Sequence, residues 1–244
     1  KGSVTDTYLS QIYAPNSTDS TSTGGQNTGS KEEEPIPENH RIENHSTGTG
    51  LSEIEEMLLK DINQYPFDGV VKRYSRLGIS RRRGNHAKKV LVEKGVVQPV
   101  DVPTKTGKVV LLDLTPAMRD AMKRNNIDVT KRKEGGIVHN YWKHQISNQL
   151  KKNGWKIELE MPIGNNRAID LYAEKDGKRI AVEVETGTRG ADNIKKLIPL
   201  NLDRIISFST TDAVKAKTLR DLKTLLISAD NLSFASPTTS LIFK

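Results

Sequence analysis

The stretch Arg167–Lys196, RAIDLYAEKDGKRIAVEVETGTRGADNIKK, constrains the fold more than any other. Asp176-Gly177 sits between two alternating apolar runs and marks a two-residue hairpin turn, because a type I′ turn needs φ > 0 at both central positions. With Lys175 and Lys178 flanking the turn, the pairing counts outward: Ala173 opposite Ile180, Leu171 opposite Val182, Ile169 opposite Val184. That face is entirely apolar. The other face sets Glu174 against Arg179, Tyr172 against Ala181, Asp170 against Glu183 and Ala168 against Glu185. A slip of one residue would mix the two faces, so the alternation selects this register.

Asp170 and Glu183 are thus expected as cross-strand neighbours, with Glu185 diagonally close. Like charges directly opposite destabilise a sheet. Two carboxylates about 5 Å apart repel by roughly 3 kcal/mol at an effective dielectric of ~20. The residues leave two readings open. Either the acids are a solvated surface pair, or they hold a hard divalent cation such as Mg²⁺ or Mn²⁺. Mg²⁺ takes one or two carboxylates together with water and phosphate oxygens. Tyr172 and the alanines on the same face leave it half-covered, which weakens the solvated reading.

The chain has 244 residues, enough for one or two domains, and only 34% are hydrophobic against 28% charged. Part of it is therefore expected to be unfolded or very exposed. A net charge of +8 favours an anionic partner, nucleic acid first. Without cysteine there is no disulfide, thiolate zinc site or thiol nucleophile. No apolar run reaches membrane-spanning length, so no membrane partner and a cytoplasmic location are expected. The chain opens on Lys1 and not Met, which fits a fragment with further sequence upstream.

Residues 1–50 are rich in Ser, Thr, Asn, Gly, Pro and Glu and read as a disordered linker, or the tail of an upstream domain at YLSQIYAP. His40 and His45 lie there without companion ligands. Residues 51–115 change texture. Ser52 opens a capping-box pattern before Ile54, Leu58 and Ile62 at helical spacing. A second helix is expected over Phe67–Leu77, and Ser80 caps a third that runs to Glu93. Two strands, Val96–Val102 and Lys108–Leu114, follow across Pro103–Gly107. Three helices and then a hairpin is the order of a winged helix-turn-helix domain.

In that arrangement the third helix reads DNA, with Arg81, Arg82, Arg83, Asn85, Lys88 and Lys89 as its contact residues and Lys105 and Lys108 on the wing. The alternative is a solvated basic helix in a protein-binding winged helix. Residues 116–135 form a helical connector, capped by Thr115 with Pro116 at the first position.

From 136 to 228 a second domain is expected in the order αβββαβα. Its elements are a helix over Ile137–Asn153, a strand over Lys156–Ile163, the hairpin, a helix over Ala191–Leu200, a strand over Arg204–Ser209 and a helix over Asp212–Leu226. If the Gly164-Asn165-Asn166 loop has three residues, Glu160 falls beside Asp170 as a further metal ligand. A two-residue loop points it away. The tail, 229–244, is loose or adds a short element such as SLIFK.

That order, with Asp on the second strand and Glu-x-Glu on the third, resembles the PD-(D/E)xK, or restriction-endonuclease-like, nuclease superfamily over roughly 136–226. The fold class is then α+β, a winged helix followed by an αβββαβ nuclease-like domain. The resemblance assigns the motif Asp to Asp170, the first acid of the triplet to Glu183 and the Lys position to Glu185. It implies Mg²⁺ held by the acids and hydrolysis of phosphodiester bonds. In members that move the lysine to the next helix, Lys195 or Lys196 would fill the role. Where many members carry a Glu on the first helix, this chain offers His139, His144 and Gln145, with Glu134 just before; His139 could act as a proton acceptor. Arg189 could touch phosphate. The pairing of domains is also similar to nuclease-like tails of DNA-translocating ATPases of the conjugative kind, although no P-loop occurs here. DNA, an upstream ATPase domain and a second copy of the chain are the partners implied. A catalytically inactive DNA clamp or regulator on the same fold is the alternative.

Overall fold

The computed structural model describes residues 51–130, 135–187 and 189–239. The linker with His40 and His45, the connector residue Glu134 and the SLIFK segment lie outside them. The described chain is α+β, with seven α-helices and two sheets.

The first half is built on local signals. Helix α1 (Glu53–Gln64) starts where Ser52 N–H donates to the Glu55 carboxylate at 3.1 Å. It buries Leu58, Leu59 and Ile62. Helix α2 (Val70–Arg76) starts three residues later than Phe67. The corner before it is tied by Arg73, whose guanidinium is fully buried and donates to the carbonyls of Asp61, Tyr65 and Asp68 and to the Asp61 carboxylate. Helix α3 (Arg81–Glu93) is capped by Ser80 Oγ, which accepts from Arg83 N–H at 3.3 Å. The hairpin β1 (Val97–Thr104) and β2 (Gly107–Leu114) is longer than expected, with Lys105 and Thr106 as its turn. Helix α4 (Pro116–Arg124) uses Thr115 Oγ1 as cap for Met118 N–H. It ends at Arg124, and Ile127 packs back against the core of α1, α3 and α4 after Asn126 takes φ 56°.

The second half begins with α5 (Ile137–Lys152), followed by β3 (Lys156–Gly164), β4 (Arg167–Lys175) and β5 (Lys178–Glu185). Helix α6 (Gly190–Lys195) is shorter than the Ala191–Leu200 expected; Pro199 enters a separate 3₁₀ turn, Ile198–Leu200, and removes a helix donor. Strand β6 (Arg204–Ser209), helix α7 (Asp212–Thr224) and strand β7 (Leu232–Ala235) complete it. The sheet runs β3-β4-β5-β6-β7, antiparallel from β3 to β5 and parallel from β5 to β7. β7 lies where only a loose tail or the SLIFK element was expected.

Ile146 and Leu150 of α5 cover one sheet face with Leu171, Val182 and Phe208. Ile194 of α6 and Leu222 of α7 cover the other with Ala181 and Ile205. The halves meet where Val102 and Leu111 of the hairpin bury against Ile137 and Tyr141 of α5.

Gly84 of α3 is buried against Tyr74, and a Cβ there would come within 2.6 Å of the ring. Gly→Ala inside a helix normally stabilises by about 1 kcal/mol. Here Gly84→Ala is expected to destabilise by about 1–3 kcal/mol through overpacking. Urea unfolding measures it; a gain in stability would show that Tyr74 does not wedge α3.

Candidate active site

The site grows from a shared kink in β3 and β4. The two strands stay in register on both sides of it, with Leu159 opposite Leu171 and Met161 opposite Ile169, so Glu160 lies opposite Asp170. Glu160 itself has a left-handed backbone, φ 56°. That conformation costs a non-glycine residue of order 1–3 kcal/mol and clusters at functional sites. The β3–β4 turn has two residues, Asn165 and Asn166, both at positive φ. Strict alternation from such a turn would aim Glu160 away from Asp170. An irregularity between Pro162 and Gly164 takes up one residue and brings it back.

The β4–β5 hairpin keeps the expected register from Lys175–Lys178 to Leu171–Val182, and then the ladder stops. A continued ladder would send Val184 N–H to the Ile169 carbonyl. It goes instead to Asp170 Oδ2, at 2.8 Å. The expected pairs Ile169–Val184, Asp170–Glu183 and Ala168–Glu185 therefore do not form. Ile169 leaves the apolar face of Leu171 and packs with Ala181, Ile194 and Leu197. The Asp170 carboxylate turns toward α5.

Four acids and three cationic or imidazole groups meet around this break. His139 Nε2 lies 3.0 Å from Asp170 Oδ2; the carboxylate only accepts, so Nε2 donates. Lys143, one turn further along α5, is 3% exposed, ion-paired with Glu160, and 3.7 Å from Asp170 Oδ1. Lys196 donates to Glu183 at 3.1 Å and to the Ala168 carbonyl at 2.6 Å. Asn193 donates to Glu185 Oε2 at 3.1 Å, while Glu185 Oε1 is buried without a hydrogen-bond partner. The His139 ring is seated by Gly135, where a Cβ would come within 2.5 Å of Nδ1. All of these groups but the buried Lys143 line a cleft of about 1020 Å³, with Arg189 and Lys195 exposed at its rim.

Lys143 and Asn193 were not anticipated. The signal for Lys143 was its place four residues past His139, on the same helix face. His144 and Gln145 do not join the cleft: His144 stacks on Phe67 with ring centroids 5.2 Å apart, and Gln145 lines a groove beside α2.

The electrostatics divide the acids. Burial raises the Asp170 pKa, but His139, the Val184 N–H and Lys143 outweigh it and hold the group below its ordinary value. Burial, reinforced by the Asp170 charge and opposed by Lys196, pushes Glu183 up to about 8. Burial also raises Glu185, against the Asn193 hydrogen bond. The donor set is all hard oxygen and fits Mg²⁺ or Mn²⁺ in kind. Among the described residues no three acidic or histidine side chains close on one point, and an ammonium stands between Glu160 and Asp170.

The basic residues of the first half lie apart from the cleft. Arg81, Arg82, Arg83 and Lys89 are exposed on α3, Lys88 is half-buried, and Asn85 accepts from Tyr74 Oη at 3.3 Å. Lys105 is exposed in the hairpin turn, and Lys108 pairs with Asp101 at 2.5 Å. Exposed pairs such as Lys108–Asp101 and Lys89–Glu93 contribute little. No helix among the described residues is long and apolar enough to cross a membrane.

Neither a protein-family model nor a curated protein sequence matches this chain. Among solved structures, the crystal structure of protein VC1899 from Vibrio cholerae is similar at a TM-score of 0.32 and 12% identity, over 75% of this chain. The match spans about half of that protein, 52%.

Glu183 stays protonated in the folded protein up to a pH of about 8, whereas unfolded it ionises near 4.5. The folded state binds more protons between these values, so stability falls as pH rises through that window, by at most about 1.4 kcal/mol per pH unit. Asp170, with its lowered pKa, is ionised in both states above pH ~5 and adds no slope. Urea unfolding from pH 5 to 8 is expected to show this decline, and Glu183→Gln to make it shallower, with Glu185 keeping part. Equal slopes would show that Glu183 ionises normally.

Proposed function

We propose that this is a cytoplasmic DNA-binding protein whose second half is a metal-dependent, endonuclease-like domain that hydrolyses phosphodiester bonds. The observation that carries the reading is the cleft itself: Asp170, Glu183, Glu185 and Glu160 gathered at a broken strand ladder with Lys143, Lys196 and His139. A basic helix and hairpin in the first half supply a surface for the phosphate backbone.

In the reaction a water attacks phosphorus and a phosphorus–oxygen ester bond breaks. Asp170 and Glu183, with Glu160 as a further ligand, would hold Mg²⁺ or Mn²⁺, which when bound would supply a Lewis acid and a more acidic water. The remaining roles fall to the chain's own side chains. Asp170, ionised, accepts from His139 Nε2, which leaves Nδ1 as the free ring nitrogen, buried against Gly135; His139 thus orients Asp170 and does not meet the water. The proton lost by the water and the proton taken up by the leaving oxygen exchange with solvent in the open cleft. Lys196 sits beside Glu183 and meets negative charge building on the phosphate. Arg189 and Lys195 at the rim hold the flanking phosphates.

The second reading is a DNA clamp or regulator on the same fold that does not cut, as part of a DNA-translocating ATPase. It is favoured by one observation: each of the four acids already has a lysine, histidine or asparagine partner within the protein.

Labelled duplex, nicked and branched DNA incubated with Mg²⁺ or Mn²⁺ separates the two. Cutting that vanishes in Asp170→Ala and Glu183→Ala, with DNA binding retained, is the expected outcome. Absence of cutting, with wild type and variants shifting DNA equally, selects the clamp. Replacing Arg81, Arg82 and Arg83 by Ala is expected to weaken DNA binding and lower the salt slope of log K by about 2 to 3. An unchanged slope would place the phosphate contacts elsewhere.

A further inference from the structure

Two cations are buried among the described residues, Arg73 and Lys143. Arg73 has a structural explanation, since it closes the α1–α2 corner through three carbonyls and a carboxylate. Lys143 has a different setting. Its ammonium, 3% exposed, stands between two carboxylates of the cleft: it is ion-paired with Glu160 and lies 3.7 Å from Asp170 Oδ1. Those carboxylates face each other only because β3 spends an irregularity and a left-handed Glu160 to put them there. Without a positive charge between them they would repel at short range. His139 holds the other Asp170 oxygen, so the aspartate cannot turn aside.

We infer that Lys143 is a resident cation: its ammonium fills the place between Glu160 and Asp170 that a divalent metal ion takes, and metal enters by displacing it. Lys143 thereby sets how tightly the site holds a metal. It keeps the two acids together in the metal-free protein, and it lowers metal affinity because a buried ammonium must move first. This inference rests on the proposed cation binding at Asp170.

The test is calorimetric titration of Mn²⁺ into the full chain without DNA. Lys143→Met is expected to bind Mn²⁺ about ten-fold more tightly than wild type, or about 1.4 kcal/mol. It is also expected to melt at a lower temperature than wild type without metal and to recover when Mn²⁺ is added. A lysine that only packs would leave the affinity equal or lower it when removed, and either result overturns the inference. If Lys143→Met does not fold, Glu160→Gln is compared with Glu160→Gln/Lys143→Met. Tighter Mn²⁺ binding by the double variant supports the inference, and equal binding overturns it. Mn²⁺ binding by neither wild type nor variant overturns the inference together with the metal part of the proposed function. Tighter binding by Lys143→Met, with no DNA cleavage by wild type, leaves the inference standing and removes the nuclease reading alone.

Discussion

The hydrogen bond from Val184 N–H to the Asp170 carboxylate is the interaction on which the second half turns. A strand donor that would have gone to a carbonyl goes to a side chain. The exchange keeps the buried N–H satisfied, so the ladder can stop in mid-sheet without an orphaned donor. With the ladder released, β4 is free to rotate its first residues, and Asp170 faces α5 while Ile169 fills the core on the opposite side. Position and chemistry therefore come from one bond.

The rotation also sorts the charges. Asp170 gathers donors from the backbone, from His139 and from Lys143, and stays ionised. Glu183 keeps the expected face, buried behind α6, where a single ammonium does not compensate for lost water. Two carboxylates that regular pairing would have made equivalent end with opposite proton affinities. Environments that separate the pKa values of neighbouring acids are the usual basis for dividing acid and base roles.

Much of this was legible in the residues. The Asp176-Gly177 turn and strict alternation gave the hairpin register as far as Leu171–Val182, and Ser52, Ser80 and Thr115 marked their helix starts. These are local signals, complete within a few residues. What was not legible depends on neighbours far along the chain. The left-handed backbone at Glu160 and the irregularity between Pro162 and Gly164 arise in the pairing with β4, and no pattern in β3 alone announces them. Lys143 borders the apolar repeat of its helix, Val138, Trp142, Ile146 and Leu150, and that repeat draws attention away from it. Strand β7 is four residues paired in parallel to β6, and LSFA carries no turn signal to mark it. The early end of α6 is the exception, since Pro199 was in plain view.

The β1–β2 hairpin has a consequence beyond the surface it offers. Its Leu112 and Leu114 belong to the core of α1, α3 and α4, while its Val102 and Leu111 bury against α5. One pair of strands is thus a wall of two cores. Opening either core strips apolar cover from the same strands, so the free energy of one is partly stored in the other. The hairpin thus couples the stability of the two halves although their sheets share no hydrogen-bonded strand.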